Sequence, residues 1–196
     1  MGRIYYLMGK SASGKDTVYK RLLAAHGDRL RTVVLYTTRP MRDGEKNGVE
    51  YFFTTENRLE QLKQQGRIVE LRTYQTVQGP WSYATVDDGQ IELDKADYLA
   101  IGTLESYEKV RNYYGAEQVV PLYITVDDGL RLERAIGRER QQARPDYAEL
   151  CRRFLADEAD FSVENLDRLG IKLAYSNEDL DRCVQELERT IFYTEL

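Results

Sequence analysis

Between the apolar run Ile4-Tyr5-Tyr6-Leu7-Met8 and a helical pattern opening at residue 15 lies Gly9-Lys10-Ser11-Ala12-Ser13-Gly14-Lys15-Asp16-Thr17. A strand, a loop of this kind and a helix in that order commit the chain to an α/β architecture. Small residues after a buried strand let the backbone curl so that several N–H groups point inward and cradle phosphate oxygens. The helix that follows adds its positive N-terminal end. The spacing Gly-x4-Gly-Lys is met, which places Lys15 within reach of the β- and γ-phosphates of a nucleoside triphosphate. The next position, usually Ser or Thr, holds Asp16, with Thr17 one residue later.

Short β-branched or aromatic runs alternate with amphipathic stretches along the rest of the chain, the pattern of a parallel sheet wrapped by helices. The order reads as strand 3–8, helix 15–26, strand 32–36, a mixed insertion to about residue 90, strand 98–102, helix 104–114 and strand 119–125. Helix 128–137, a charged loop, helix 146–160, strand 171–175 and helix 178–192 complete it. The insertion predicts a small sheet with one helix: Tyr51-Phe52-Phe53, a helix near 56–65, and Arg67-Ile68-Val69-Glu70-Leu71. Its turns Asp43-Gly44, Asn47-Gly48 and Gly79-Pro80 favour hairpins.

Length and charge narrow the function. A chain of 196 residues buries one core with small lobes. With 28 basic and 33 acidic side chains the net charge is −5, so no general polyanion-binding surface and no nucleic-acid partner are expected. Phosphate chemistry must come from locally clustered Arg and Lys. Cys151 and Cys183 lack metal-ligand spacing, and the single histidine, His26 beside Gly27, fits a helix C-terminal cap. No signal-peptide region is read at the N-terminus, and no apolar run approaches the ~20 residues that span a bilayer. A cytoplasmic protein without a membrane partner is the expectation.

A second phosphate-seeking segment lies in the insertion. In Thr37-Thr38-Arg39-Pro40-Met41-Arg42-Asp43-Gly44-Glu45, followed by Gly48 and Tyr51, two guanidinium forks sit close together on a loop leaving the sheet. Such forks grip phosphate bidentately. This segment resembles the substrate-phosphate loop of guanylate kinases, Thr-Thr-Arg-x-x-Arg-x-Gly-Glu-x-x-Gly-x-x-Tyr, at every position, and the likeness runs from the first loop to the last helix. It implies a P-loop NTPase-type parallel sheet with a core of 1–36 and 91–196, an inserted lobe at about 37–90 that binds a nucleoside monophosphate, and a short lid at about 138–147.

The resemblance also implies roles. Arg39, Arg42, Tyr51 and Tyr83 would hold the acceptor phosphate, with Arg42 also acting in catalysis. Glu70 would accept from the guanine N1–H and amino group, with Thr85 and Thr103 near the base. Trp81 fits either a lid over the base or a core or hinge aromatic. Arg134, Arg138 and Arg153 resemble arginines that close over ATP, Arg138 and Arg153 joining Lys15 in catalysis, because phosphoryl transfer rests mostly on positioning and cationic stabilisation. Asn177 resembles a residue bordering the adenine and equally fits a helix N-cap.

Two departures qualify the resemblance. The family's Asp-Ile-Asp at the end of strand 98–103 is replaced here by Ile101-Gly102-Thr103, and Leu35 stands where a base-contacting serine is frequent. Ribose 1,5-bisphosphate phosphokinases resemble this chain in Gly-Lys-Asp and in an Asn-Gly-Ser near Ile101-Gly102-Thr103, but lack the Thr-Thr-Arg loop. Three readings follow: an ATP- and Mg²⁺-dependent kinase of GMP or dGMP, a kinase of a phosphorylated sugar, and a non-catalytic guanylate-kinase-like binding module. Glu70 and the complete two-arginine loop argue against the second, and the intact Gly14-Lys15 against the third. For Asp16, with Thr17, two roles stay open: an Mg²⁺ ligand replacing the acid lost at Ile101, or a stabiliser of the first helical turn.

Overall fold

The computed structural model describes residues 1–76 and 79–193. Strand β1 (Ile4–Gly9) is buried along its whole length, as a central strand must be when helices cover both faces of its sheet. Its side chains alternate: Ile4, Tyr6 and Met8 join one core cluster, and Tyr5 and Leu7 the other. The chain continues through α1 (Lys15–His26) to β2 (Leu30–Thr32), and then leaves the main sheet.

A smaller sheet follows, made of β3 (Tyr36–Thr37), β4 (Phe52–Phe53), α2 (Glu56–Gln64), β5 (Ile68–Thr76) and β6 (Gly79–Val86). Its strand order is β4-β3-β6-β5, and α2 packs Leu59 and Leu62 against Ala84 and Val86 beneath it. The main sheet resumes with β7 (Asp97–Gly102), α3 (Leu104–Tyr114), β8 (Val119–Thr125), α4 (Asp128–Glu139), α5 (Tyr147–Asp160), α6 (Val163–Arg168), β9 (Ala174–Ser176) and α7 (Leu180–Phe192). Its order is β2-β7-β1-β8-β9, with all neighbours parallel. The expected α/β class is present, with a five-stranded parallel sheet and a separate mixed one.

The connections leaving the carboxyl ends of the neighbours β1 and β7, α1 and α3, run to opposite faces of the sheet, which marks the place where open α/β folds bind ligands.

Several boundaries differ from the sequence reading. Strand 32–36 is split: Val34 gives its N–H to the Gln90 side-chain oxygen (2.8 Å) and takes a bond from the Gln90 amide (3.1 Å), so its backbone is satisfied without a strand neighbour. That break lets the chain pass from one sheet to the other. Strand 171–175 begins only at Ala174, because Ile171 N–H closes the end of α6 on Leu166 O at 2.9 Å, with Gly170 at φ 69°. The unforeseen α6 starts where the Ser162 side chain accepts from Asn165 N–H. The strand read to Leu71 runs on to Thr76. Gly79 and Pro80, read as a turn, instead open β6, paired with Thr76 and Gln75; residues 77 and 78 lie outside the described residues. Gly27 is not a left-handed cap (φ −63°); His26 instead bonds Glu188 at 2.7 Å and packs on Phe192, joining α1 to α7.

Candidate active site

The loop after β1 has the conformation its residues predict. Ala12 and Gly14 have φ of 63° and 83°, and Ser13 N–H closes a turn on Lys10 O at 3.1 Å. Both glycines are required by close approach: a Cβ on Gly9 would lie 2.6 Å from Ile124 O, and one on Gly14 2.4 Å from the Asn177 amide nitrogen. Lys15, Asp16 and Thr17 begin α1, with Asp16 and Thr17 exposed. Gly14 is the N-cap residue and carries no side-chain cap bond.

Asn177 is buried and donates from its amide to Ser13 O at 2.8 Å, while Arg134 donates to Asn177 O at 3.0 Å. The cap of α7 is Asp179, which accepts from Arg182 N–H, so the N-cap reading of Asn177 is corrected. Its place is against the loop, as a clamp that carries Arg134 with it. Ser13 Oγ is buried without a partner at the loop's inner side.

Arg138 lies on α4, past the residue 137 at which the sequence reading ended that helix, and Arg153 lies on α5. Both line a small void of about 10 Å³ that also borders Ser11, so the two helices bring these cations to the edge of the loop. The charged loop between them is pinned by buried Glu139, which accepts from Asp146 N–H (2.6 Å) and the Gln142 amide (2.8 Å).

Sequence reasoning missed what lies underneath. Arg131 is 1% exposed, packs over the Phe154 ring at 4.0 Å, and pairs with Asp128 (3.0 Å), Asp157 (3.4 Å) and Glu158. Those acids also hold the loop: Asp157 accepts from Ser11 N–H at 2.7 Å, and Glu158 pairs with Lys10 at 2.6 Å. The Asp157-Glu158 pair in helical sequence reads as a solvated face, so only the fold reveals that it points at residues 10 and 11.

In the smaller sheet, Thr37 is buried and donates to Ser82 O at 2.9 Å, which fixes the start of the two-arginine loop. Arg39 is 4% exposed. Its fork is held by Glu45 at 2.7 and 3.1 Å, and its guanidinium lies 5.3 Å from the Tyr51 ring centre and 5.6 Å from that of Phe53. The Glu45 bond raises the Arg39 pKa, and Arg39 in turn lowers that of Glu45. Tyr83 meets Tyr51 edge-on at 5.7 Å, and burial, with Tyr83 beside it, raises the Tyr51 pKa. Arg42 is exposed at the loop's tip, its N–H bonded to Glu45 at 2.7 Å. Arg39, Arg42, Tyr51 and Tyr83 are therefore assembled into one locale.

The residues expected at the base form a second group. A register shift between Ile68 and Glu70 turns Ile68 and Leu71 toward the α2 cluster and leaves Glu70 and Arg72 on the opposite face. Glu70 accepts from Thr85 Oγ1 (3.0 Å), Arg72 Nε (2.9 Å) and Arg72 Nη2 (3.3 Å). Arg72 also reaches Thr103 Oγ1 at 3.4 Å. Burial disfavours the charge on Arg72, but Glu70 together with Tyr6 and Tyr74 outweighs it, and the Arg72 pKa is raised. Thr103 caps α3 in a capping box with Ser106. Sequence reasoning missed Arg72 because it ended the strand at Leu71. One more period of two, Glu70-x-Arg72-x-Tyr74, would have placed it beside Glu70. Trp81 is half-buried opposite Tyr74 in the hairpin.

Fold and site together define the class, an α/β protein with a P-loop and an arginine-bearing inserted sheet. The family model described as guanylate kinase matches residues 1–193, and the chain belongs to the guanylate kinase family. It is 40% identical to the guanylate kinase of Neisseria gonorrhoeae over 100 residues, 51% of this chain and 46% of that one, so it spans about half the length of that relative. It is 29% identical to the guanylate kinase of Synechococcus elongatus over 195 residues, 98% of both chains. Among solved structures, the crystal structure of guanylate kinase from Anaplasma phagocytophilum superposes with a TM-score of 0.64 at 21% identity, covering 97% of this chain and 84% of that one.

Proposed function

We propose that this chain transfers the γ-phosphate of ATP to GMP, giving GDP and ADP. The observation that carries this reading is a cleft of about 570 Å³ with Asp16 and Tyr19 of α1 on one wall and Gly48, Val49 and Tyr51 of the inserted segment on the other. A triphosphate on residues 9–17 and a monophosphate on Arg39, Arg42, Tyr51 and Tyr83 would face each other across it, the arrangement in-line transfer needs. Arg134, Arg138 and Arg153 supply positive charge as it spreads over the phosphoryl oxygens, so no general base is required. In this reading residues 1–36 and 91–196 bind the donor, 37–90 the acceptor, and 138–147 act as a lid.

Asp16 and Thr17 offer an exposed carboxylate and hydroxyl side by side, hard oxygen donors that suit Mg²⁺ together with waters and phosphate oxygens. Held by these residues, Mg²⁺ would supply positive charge against the negative β- and γ-phosphates. Among the described residues there is no group of three or more His, Cys, Asp or Glu that could hold a metal ion. Because the N-cap residue of α1 is Gly14 and not Asp16, Asp16→Asn is expected to raise the Mg²⁺ concentration for half-maximal rate severalfold while the melting curve stays in place. A rate titration beside a thermal melt reads both, and a lowered melting temperature with unchanged Mg²⁺ demand would assign Asp16 to the helix instead.

Arg42→Ala removes an exposed acceptor-side cation without touching the core. The kcat/KM for GMP is expected to fall roughly tenfold to hundredfold, the worth of a hydrogen bond to a charged group, with the KM for ATP unchanged.

The reading is tested by ADP release with ATP and Mg²⁺ over a panel of nucleoside monophosphates and phosphorylated sugars. Turnover should be greatest with GMP; release with a ribose bisphosphate and none with GMP would overturn it. The complete two-arginine loop at 37–45 argues against a sugar-phosphate kinase, and the intact Gly14-Lys15 against a non-catalytic binding module. No described helix is long and apolar enough to cross a membrane. Cys151 and Cys183 are free thiols, which suits the reducing cytoplasm.

A further inference from the structure

On the reading that GMP is the acceptor, we infer that Arg72 selects the purine, donating to its 6-oxo edge, and that Glu70 is a positioning residue acting through Arg72. The chain would then accept any 6-oxopurine monophosphate, with little regard for the 2-amino group that distinguishes GMP from IMP.

The argument starts from exposure. The Glu70 side chain is 0% exposed and that of Arg72 11%, so a ligand entering from the cleft meets the guanidinium and not the carboxylate. Three donors already occupy Glu70: Thr85 Oγ1, Arg72 Nε and Arg72 Nη2. Thr103 Oγ1, the other oxygen beside the pair, already accepts from Ser106 N–H at 3.2 Å and from Arg72 Nη1. With the Glu70 side chain 0% exposed, Thr85 buried and Thr103 Oγ1 already accepting twice, no side-chain acceptor of this cluster is open to a purine 2-amino group. Donors are in surplus: of the five N–H groups of an arginine, three are directed at Glu70 and Thr103, which leaves two on the terminal nitrogens. An Arg fork matches the adjacent O6 and N7 acceptors of guanine, and hypoxanthine presents the same two atoms. Adenine presents an amino group in place of O6.

Position supports this assignment. Across the hairpin Arg72 pairs with Tyr83 and Glu70 with Thr85, so Arg72 lies next to the acceptor-phosphate group on one sheet face. Leu35 and Ile101 line both the main cleft and the small void that Thr85 also lines, which places the cluster at the cleft's inner end.

Four monophosphates separate the possibilities in the unmodified protein: GMP, IMP, AMP and 2-aminopurine riboside monophosphate, which keeps the 2-amino group and lacks O6. The kcat/KM for IMP is expected within about fivefold of that for GMP, since an unpartnered amine forfeits no protein hydrogen bond. The 2-aminopurine and adenine nucleotides should fall about tenfold to hundredfold, the worth of a bidentate base contact. The reverse order, with 2-aminopurine near GMP and IMP poor, would overturn the inference and leave GMP phosphorylation standing. ADP release with none of the four, but with a phosphorylated sugar, would overturn both. In Arg72→Gln the ratio of GMP to 2-aminopurine turnover should contract toward one. An equal loss with all four nucleotides would mark Arg72 as structural and would also overturn the inference.

Discussion

Replacing Lys15 with Ala is expected to lower kcat on the order of a hundredfold to a thousandfold, the loss found when one preorganised charge is removed from a transition state. Lys15 opens α1 directly after Gly14, whose left-handed φ of 83° sets the direction in which the helix leaves the loop. Its ammonium can follow the transferring phosphate without joining either core cluster. The substitution should therefore leave stability within about 0.5 kcal/mol, as for surface changes generally, and Ala is a good helix former. Single-turnover kinetics beside a thermal melt test both parts, and full activity in a folded variant would remove the loop from the reaction.

The strongest parts of the sequence reading are those in which one local pattern admits one structure. The run Ile4–Met8 with its glycine-rich loop could only be a buried strand leading into a helix, and that is how it folds. The Thr37–Tyr51 segment was legible for a similar reason, since its turn residues and arginines lie close in sequence; Gly44 and Gly48 take the positive φ their turns need. What could not be read was long-range. Strand 32–36 has the composition of one strand, but Gln90, 56 residues away from Val34, breaks it. Asn177 fits a cap by sequence alone, yet Ser13, 164 residues distant, claims its amide. Arg72 fell between these cases: its neighbour Glu70 is local, but the bulge that turns both away from the α2 cluster is visible only in the strand register.

The same distinction separates the two sides of the cleft. On the acceptor side Arg39 is balanced within its own loop by Glu45, six residues away. On the donor side the loop is held by α5, through Asp157 on Ser11 and Glu158 on Lys10, and both acids depend on Arg131. The position of Lys10 and Ser11 thus rests on one buried cation, while Asn177 holds Ser13 separately.

That dependence makes Arg131→Ala the most damaging single change expected for stability. Removing one partner of a buried ion pair costs roughly 3–5 kcal/mol because the other charge is left uncompensated. Glu158 and Asp128 are 37% and 55% exposed and can be rehydrated, while Asp157 at 17% cannot fully be, which points to the lower end, about 3 kcal/mol. For a chain of this length that is a fall in Tm of roughly 6–12 °C. Arg131→Met separates the contributions: it keeps the packing over Phe154 and removes only the charge, so its Tm should lie between wild type and Ala. Freed of Arg131, Asp157 and Glu158 repel each other and the incoming triphosphate, so the KM for ATP should rise in both variants while the KM for GMP stays near its original value. Equal rises in both KM values would show that the network supports the whole cleft and not the donor loop alone.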